Sequence, residues 1–283
     1  AVARAVVHPR SQTHKWDSLF GVVVIQAPGR ELMMSVRRYE LSDFEGSVIE
    51  PLLPNKPRGV ARVDDRRVLN GIFWRLRTGS PWADIPERYG PPTTCYNRFV
   101  RWRKAGVWDR IFEAVSRAYE GELQMIDSSS KEAEAGDDAP ARCMGRSRGG
   151  LTTKIHALVD ANGLPIMLKL TEGQAHDGRS AADMLDAIGE DQILLADRAY
   201  DSDALREKIA GQGAWANIKP LPNRRKVPAF SAFLYRYRNL VERFFSKLKH
   251  FRAVATRYEK HDANYLALVK LASAKIWMRF MSR

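Results

Sequence analysis

Cysteine is scarce in this 283-residue sequence: Cys95 and Cys143 stand far apart and form no C-x-x-C pair. That excludes a disulfide framework and a cysteine-built zinc site, and it fits a reducing compartment. Long apolar runs are also missing. The longest near the N-terminus, "LFGVVVI", falls well short of the ~18 residues of a membrane span. It is also shorter than a signal-peptide core and has no clear cleavage site after it. A cytoplasmic protein is the expectation. There is no internal repeat. "GRSRGG" lacks the lysine of G-x-x-x-x-G-K-[ST], which argues against a nucleotide P-loop. Acid is in short supply: 33 Asp and Glu face 46 Lys and Arg, for a net charge of +13. Such a balance favours a polyanionic partner, nucleic acid first and a membrane surface second.

What is present is enough for a folded protein. Apolar residues make up 45% of the chain and there are seven tryptophans, so a real core can be buried. The length allows one large domain or two modest ones. Charge is unevenly spread. Residues 1–120 hold 20 basic and 13 acidic residues, net +7. Residues 121–220 hold 11 and 17, net −6, and residues 221–283 hold 15 and 3, net +12. An acid-rich centre is thus set into a cationic cradle.

Residues 1–34 lack sustained periodicity and are expected to be an extension outside the fold. From Ser42 helical signals begin, with Ser42 as cap and Glu45 three residues later. Asp64 or Asp65 can cap the next helix, in which Val68, Leu69, Ile72, Phe73 and Leu76 share a face. Thr93 or Thr94 is expected to cap "CYNRFVRWRKAG", and a further helix carries Trp108, Ile111, Phe112 and Val115. Residues 35–120 therefore form a small all-helical unit. Arg98, Arg101 and Lys104 step by three along one helix, a broad basic face suited to a DNA groove.

From residue 121 the pattern turns to strands. "LQMID" is a short apolar run that ends at an acid. "LTTKIHALVDANG" ends at Asn162-Gly163, a hairpin signal, and "LPIMLKLTEG" returns. A helix is expected over "RSAADMLDAIG". "QILLADRAYDS" gives a buried strand ending at Asp197, "DALREKIAGQG" a helix, "AWANIKP" a strand, and "NYLALVKLASAKIWMRF" a closing helix. An antiparallel hairpin followed by alternating helices and strands implies a mixed sheet covered by helices.

Two acids, Asp127 and Asp197, end these strands, where open sheets gather their sites. A third stands alone in "YRYRNLVERFFSKLKHFR", which has six basic residues and the single acid Glu242. On a continuous helix Tyr235, Arg238, Glu242 and Lys249 occupy an arc of roughly 60°. Three carboxylates from two strands and a helix can hold a pair of hard divalent ions for in-line phosphoryl transfer. Arg, Lys and Tyr around them would fix DNA phosphates.

The same segment matches Y-x2-R-x3-E-x6-K at Tyr235, Arg238, Glu242 and Lys249. In this the chain resembles the DDE transposases of bacterial insertion sequences, specifically the insertion sequence 5 family. "MIDSS" resembles the family's first-acid strand and "LLADRAYDSDAL" its second-acid motif. "GRSRGGLTTKIHALVDANGLP" and "LTEGQAHD" resemble its middle segments, and "DDRRVLNGIFWRLRTGSPWADIPERYGPPTTCYNRFVRWRKAGVWDRI" its N-terminal helical region. The similarity covers roughly residues 36–280.

The resemblance implies an α/β, ribonuclease-H-like mixed-sheet catalytic domain at 121–283, preceded by a helical DNA-binding domain at 35–120. It implies Mg²⁺, two ions, with Mn²⁺ as a substitute. Asp127, Asp197 and Glu242 would be the metal-binding catalytic triad. Tyr235, Arg238 and Lys249 would position DNA. The partners implied are double-stranded DNA, as terminal inverted repeats and target, and a second copy of the chain on that DNA. The location implied is cytoplasmic, with the nucleoid when bound. The reaction is cleavage at the element's ends and joining of the freed 3′-hydroxyl to target DNA. Two rivals stand beside it: a copy that binds the repeats without chemistry, and a metal nuclease without strand transfer. The sequence departs from the family pattern at three places. Acids (Glu132, Glu134, Asp137, Asp138) follow Asp127, Gly46 replaces a usual tryptophan, and Ala199 replaces a usual glycine. If position 199 needs a positive φ, alanine is strained there.

Overall fold

The computed structural model describes residues 39–54, 64–117, 121–133, 143–147, 150–180 and 182–282. The expected extension at residues 1–34 lies outside them, as do Glu134, Asp137 and Asp138. The described residues belong to one compact unit, Val36–Arg283.

Four helices come first. In α1 (Asp43–Ile49) the expected capping box forms: the Glu45 amide donates to Ser42 Oγ at 3.2 Å and the Ser42 amide to Glu45 Oε2 at 2.8 Å. In α2 (Asp65–Thr78) Asp64 Oδ1 accepts from the Arg66 amide at 2.9 Å, and Gly79, at φ 74°, ends the helix. The third helix, α3 (Pro92–Lys104), starts one to two residues before the expected threonine cap. Proline serves at its first position because that amide would have no helical partner. α4 (Val107–Ser116) follows Gly106, which turns the chain at φ 67°.

Among the described residues six strands make one mixed sheet: β1 (Leu123–Glu132), β2 (Gly145–Ser147), β3 (Gly150–Val159), β4 (Pro165–Glu172), β5 (Ile193–Ala196) and β6 (Trp215–Ile218). The order is β2-β3-β1-β5-β6, with β4 also paired to β3. β1 is antiparallel to β3 and parallel to β5, and β5 is parallel to β6. The alternation of side chains along β1 and β5 separates two cores. Met125 and Leu195 join a larger core with α1–α4, α8 (Asn239–Lys249) and α10 (Asp262–Met281). Ile126 and Leu194 join a smaller one on the opposite face, with Leu205 and Ile209 of α6 (Asp203–Gly211).

The larger core is continuous from the N-terminal helices to the sheet. Ion pairs pin the two regions: Lys275 of α10 is buried against Glu45, Lys270 pairs with Asp109, and Arg75 lies 3.3 Å from Glu259.

Three local expectations change. The strand that was to end at Asp127 runs on to Glu132, because Ser128–Glu132 keep their ladder with Thr152–His156 of β3. The helix expected over 179–189 is only α5 (Asp177–Ser180) and a 3₁₀ turn at Met184–Ala187. Lys169 Nζ takes the Ser180 carbonyl at 2.6 Å and Lys208 Nζ the Ala182 carbonyl at 2.5 Å, acceptors that a continuous helix would use itself. Ala199 sits in a 3₁₀ turn (Arg198–Tyr200) without a positive φ, so the strain expected of a replaced glycine does not arise. At Gly46, the Arg66 guanidinium lies 3.2 Å from where a Cβ would stand, covering the side that a tryptophan would fill.

His156 of β3 is fully buried, with Nε2 bonded to Thr171 Oγ1 at 2.7 Å. Burial pushes its pKa down to about 4, only partly opposed by the charge of Asp177. Between about pH 6.5 and pH 4 the unfolded chain therefore gains a proton that the folded chain refuses, and stability is lost as pH falls through that window. Urea unfolding across this range should show a loss of about 2–4 kcal/mol. His156→Gln should remove most of that slope; an unchanged slope would place its origin elsewhere.

Candidate active site

The site is built where the parallel pairing of β1 and β5 ends. The last paired residues there are Met125 and Leu195. Two residues further along each strand stand Asp127 and Asp197, so the register sets them side by side. Asp127 Oδ1 accepts from the Ser128 amide at 2.8 Å, and Asp197 Oδ1 from the Ala199 amide at 2.9 Å, as the cap of the 3₁₀ turn. Asp127 is mostly covered, with 19% of its side chain exposed. Burial pushes its carboxyl above the usual range, the charge of Asp197 adds to this, and the charge of Arg238 opposes it.

The third acid comes from α8. Val241, Phe244, Phe245 and Leu248 bury one face of this helix, which packs on β1 and β3. Glu242 is left on the rim, with its side chain 56% exposed. One guanidinium joins it to the strand: Arg238 Nη1 donates to Asp127 Oδ2 at 2.9 Å and Nη2 to Glu242 Oε1 at 2.5 Å. Arg238 thus joins Asp127 to Glu242, and Asp197 lies near enough to Asp127 for the two charges to act on each other. Among the described residues, no group of three or more His, Cys, Asp or Glu side chains stands close enough to hold a metal ion. The donor set still suits a hard divalent cation, since it offers carboxylate oxygens alone.

The continuous helix expected from Tyr235 to Lys249 is broken. α7 (Ala232–Tyr235) passes through a 3₁₀ turn at Arg236–Arg238 before α8 begins. Three residues per turn eclipse Tyr235 and Arg238. The Arg238 guanidinium accordingly lies 5.8 Å from the Tyr235 ring centre, and Lys219 Nζ lies 5.6 Å from it on an adjoining segment. Lys249, in the last turn of α8, is exposed.

Residues 119–277, more than half of the chain, match the family model "Transposase DDE domain", and residues 41–112 match "Putative transposase of IS4/5 family". The chain belongs to the DDE transposase family. It is 43% identical over 130 residues to the "Putative transposase for insertion sequence element IS6501" of Brucella ovis, covering 46% of this chain and all of that protein. It is 30% identical over 149 residues to the "Putative transposase for insertion sequence element IS402" of Burkholderia cepacia, covering 49% of this chain and 67% of that one. Among solved structures, a piggyBac transposase in a synaptic complex with hairpin DNA superposes with a TM-score of 0.50. That match has 10% identity and covers 82% of this chain and 70% of the other, a likeness of fold. The catalytic region of this transposase has the mixed-sheet, ribonuclease-H-like DDE fold.

Two residues of the site were not singled out by pattern. Tyr200 is 1% exposed, and its hydroxyl has no hydrogen-bond partner among the described residues. Burial raises its pKa, and the charges of Asp127, Asp177 and Asp197 raise it further. The "DRAYD" string places it three residues past the second acid, and the fold packs it in the smaller core, near enough to three carboxylates for their charges to act on it. Lys131 shares the α8-facing side of β1 with Asp127, a period-two relation that was legible once the strand was known to continue. Asp177 ties its loop to the sheet: its Oδ1 accepts from Ser128 Oγ at 2.9 Å and Lys154 Nζ at 3.0 Å. Among the described residues, no helix is long and apolar enough to cross a membrane.

On α3 the structure separates the three expected DNA contacts. Arg101 and Lys104 are exposed. Arg98 turns inward: its side chain is 10% exposed, pairs with Asp65, and lies 5.2 Å from the centre of the Trp102 ring. A buried paired arginine is costly to unpair, so Arg98→Ala should lower stability by about 3 kcal/mol. Arg101→Ala should stay within about 0.5 kcal/mol of the parent. Denaturant unfolding of both variants checks this; equal costs would sink the distinction.

Proposed function

We propose that this transposase binds the terminal inverted repeats of an insertion element of the insertion sequence 5 group, cleaves the strand ends, and joins the freed 3′-hydroxyl to target DNA. The observation that supports this reading is the bridge that Arg238 makes between Asp127 of β1 and Glu242 of α8, with Asp197 near enough to act on Asp127, at the carboxyl end of a parallel strand pair. Asp127 and Asp197 would hold two divalent ions, with Glu242 as the third ligand once Arg238 releases it. Mg²⁺ bound there, or Mn²⁺ in its place, supplies activation of the attacking oxygen and neutralisation of the leaving one.

The remaining roles belong to the chain itself. Arg238 and Tyr235 stand against the acids and would turn to the DNA backbone, with Lys249 further along α8. Arg101 and Lys104 on α3 would give the helical region its phosphate contacts. Arg98 would act through Asp65 and Trp102 by holding that helix in place. A second copy of the chain would pair the two element ends.

Incubation with terminal-repeat DNA and Mg²⁺ separates this reading from its rivals. Joined product is expected. Cleavage without joining would indicate a nuclease, and binding without either would indicate a non-catalytic copy. Glu242→Gln should lose at least about 100-fold in both steps while repeat binding stays within about threefold, since removal of a charged transition-state contact costs roughly 3 kcal/mol or more. Undiminished cleavage by that variant would remove Glu242 from the triad.

A further inference from the structure

Lys131 is a lysine in an unusual place. It is 3% exposed. Among the described residues no carboxylate pairs with it; its ammonium donates to Ser129 Oγ at 2.9 Å, within its own strand. Burial first, and then the charge of Lys249 on α8, depress its pKa to about 8. Lys131 on β1 and Lys249 on α8 thus lie near enough for their charges to repel, and among the described residues neither is in an ion pair with a carboxylate. Burying an ammonium beside a like charge is unfavourable unless an anion joins them.

The geometry gives that anion a position. Asp127, Ser129 and Lys131 alternate onto the face of β1 that meets α8. At the start of α8 the strand presents Asp127 to Arg238 and Glu242. Towards its end the strand carries Lys131, and Lys249 follows Glu242 by seven residues on the same stripe of α8, near enough for its charge to act on Lys131. Strand and helix thus run side by side, acidic at one end and basic at the other. Asp127 and Lys131 are four strand residues apart, about 13 Å, and Glu242 and Lys249 seven helical residues apart, about 10 Å. That is the scale of the distance between phosphates a short way apart on one DNA strand.

We infer that Lys131 and Lys249 form a seat for a second phosphate of the bound DNA strand, with exposed Lys249 as the outer arm and Lys131 as the inner one. This rests on the DNA-end reading above, in which the carboxylates hold the phosphate that reacts. The acid-rich segment after Asp127 then contributes a cation to DNA at its one inward-facing charged position on β1.

The test uses the full chain without divalent metal, so that no chemistry enters. Fluorescence anisotropy with a terminal-repeat duplex is followed over a range of salt for the parent and for Lys131→Met. Methionine fills a similar space without charge. The variant should bind about 5–10-fold more weakly, and its salt slope should fall by about 0.9. Its melting temperature should be equal or higher, because an uncompensated buried charge has gone. A structural lysine would show the opposite split, with a lower melting temperature and unchanged binding, and that result overturns the inference. Should the variant fail to fold, the Lys131 side-chain resonance of ¹³C-lysine-labelled parent must move when duplex is added; a static signal overturns it equally. If the parent itself fails to bind the duplex, the proposed function falls and the seat falls with it. Parent binding with an unaltered variant defeats the seat alone.

Discussion

The double pairing of β1 is the constraint on which the site depends. One edge of this strand is antiparallel to β3 from Met125 to Glu132, and the other is parallel to β5 only as far as Met125 and Leu195. Where the parallel pairing stops, the sheet opens, and the next side chains on that face are Asp127 and Asp197. A slip of one residue in either register would send one carboxylate to the opposite face. The slip is resisted because alternate residues of the same strands, Met125 and Ile126, Leu194 and Leu195, fill two separate cores.

Bringing acids together in this way has an electrostatic cost. Asp127 is covered, and burial disfavours its charged form. Arg238 offsets part of that cost by bonding to Asp127 and Glu242 at once. A single guanidinium thus balances a strand and a helix that come from opposite ends of the catalytic region. Its planar fork allows this, since two donors can face two carboxylates without rotating. A DNA phosphate offers the same fork an alternative partner, and a divalent cation offers the acids one. The geometry thereby ties the acids of strand and helix to the same side chain.

The helical region is bound to the catalytic sheet by more than its covalent link. Its core runs into α10 without a break, and buried Lys275 reaches back to Glu45, the residue that closes the capping box of α1. Arg75 near Glu259 and Lys270 near Asp109 act on the same seam. Movement of α3 would therefore be felt along α10, which also packs on α8 and β4.

Much of this was legible in the sequence. Ser42 and Glu45, Asp64, Asn162-Gly163 and the apolar periods of α2, α4 and α10 are local signals, and local hydrogen bonds or helical faces answer them directly. The order of the three acids, and the four-residue spacing of Arg238 and Glu242, also follow from the chain alone. Other features were decided only by tertiary structure. The strand continues past Asp127 because β3 accepts its ladder, whatever side chains it carries. The helix after Asp177 is cut short because Lys169 and Lys208 arrive from elsewhere to take its carbonyls. Arg98 faces inward because Asp65 and Trp102 surround it, although its spacing matches that of exposed Arg101 and Lys104. Lys131 is buried because α8 lies over its face of the strand. A sequence records which groups can pair over a few residues; the desolvation and the competing partners that select among those pairings exist only once distant segments have met.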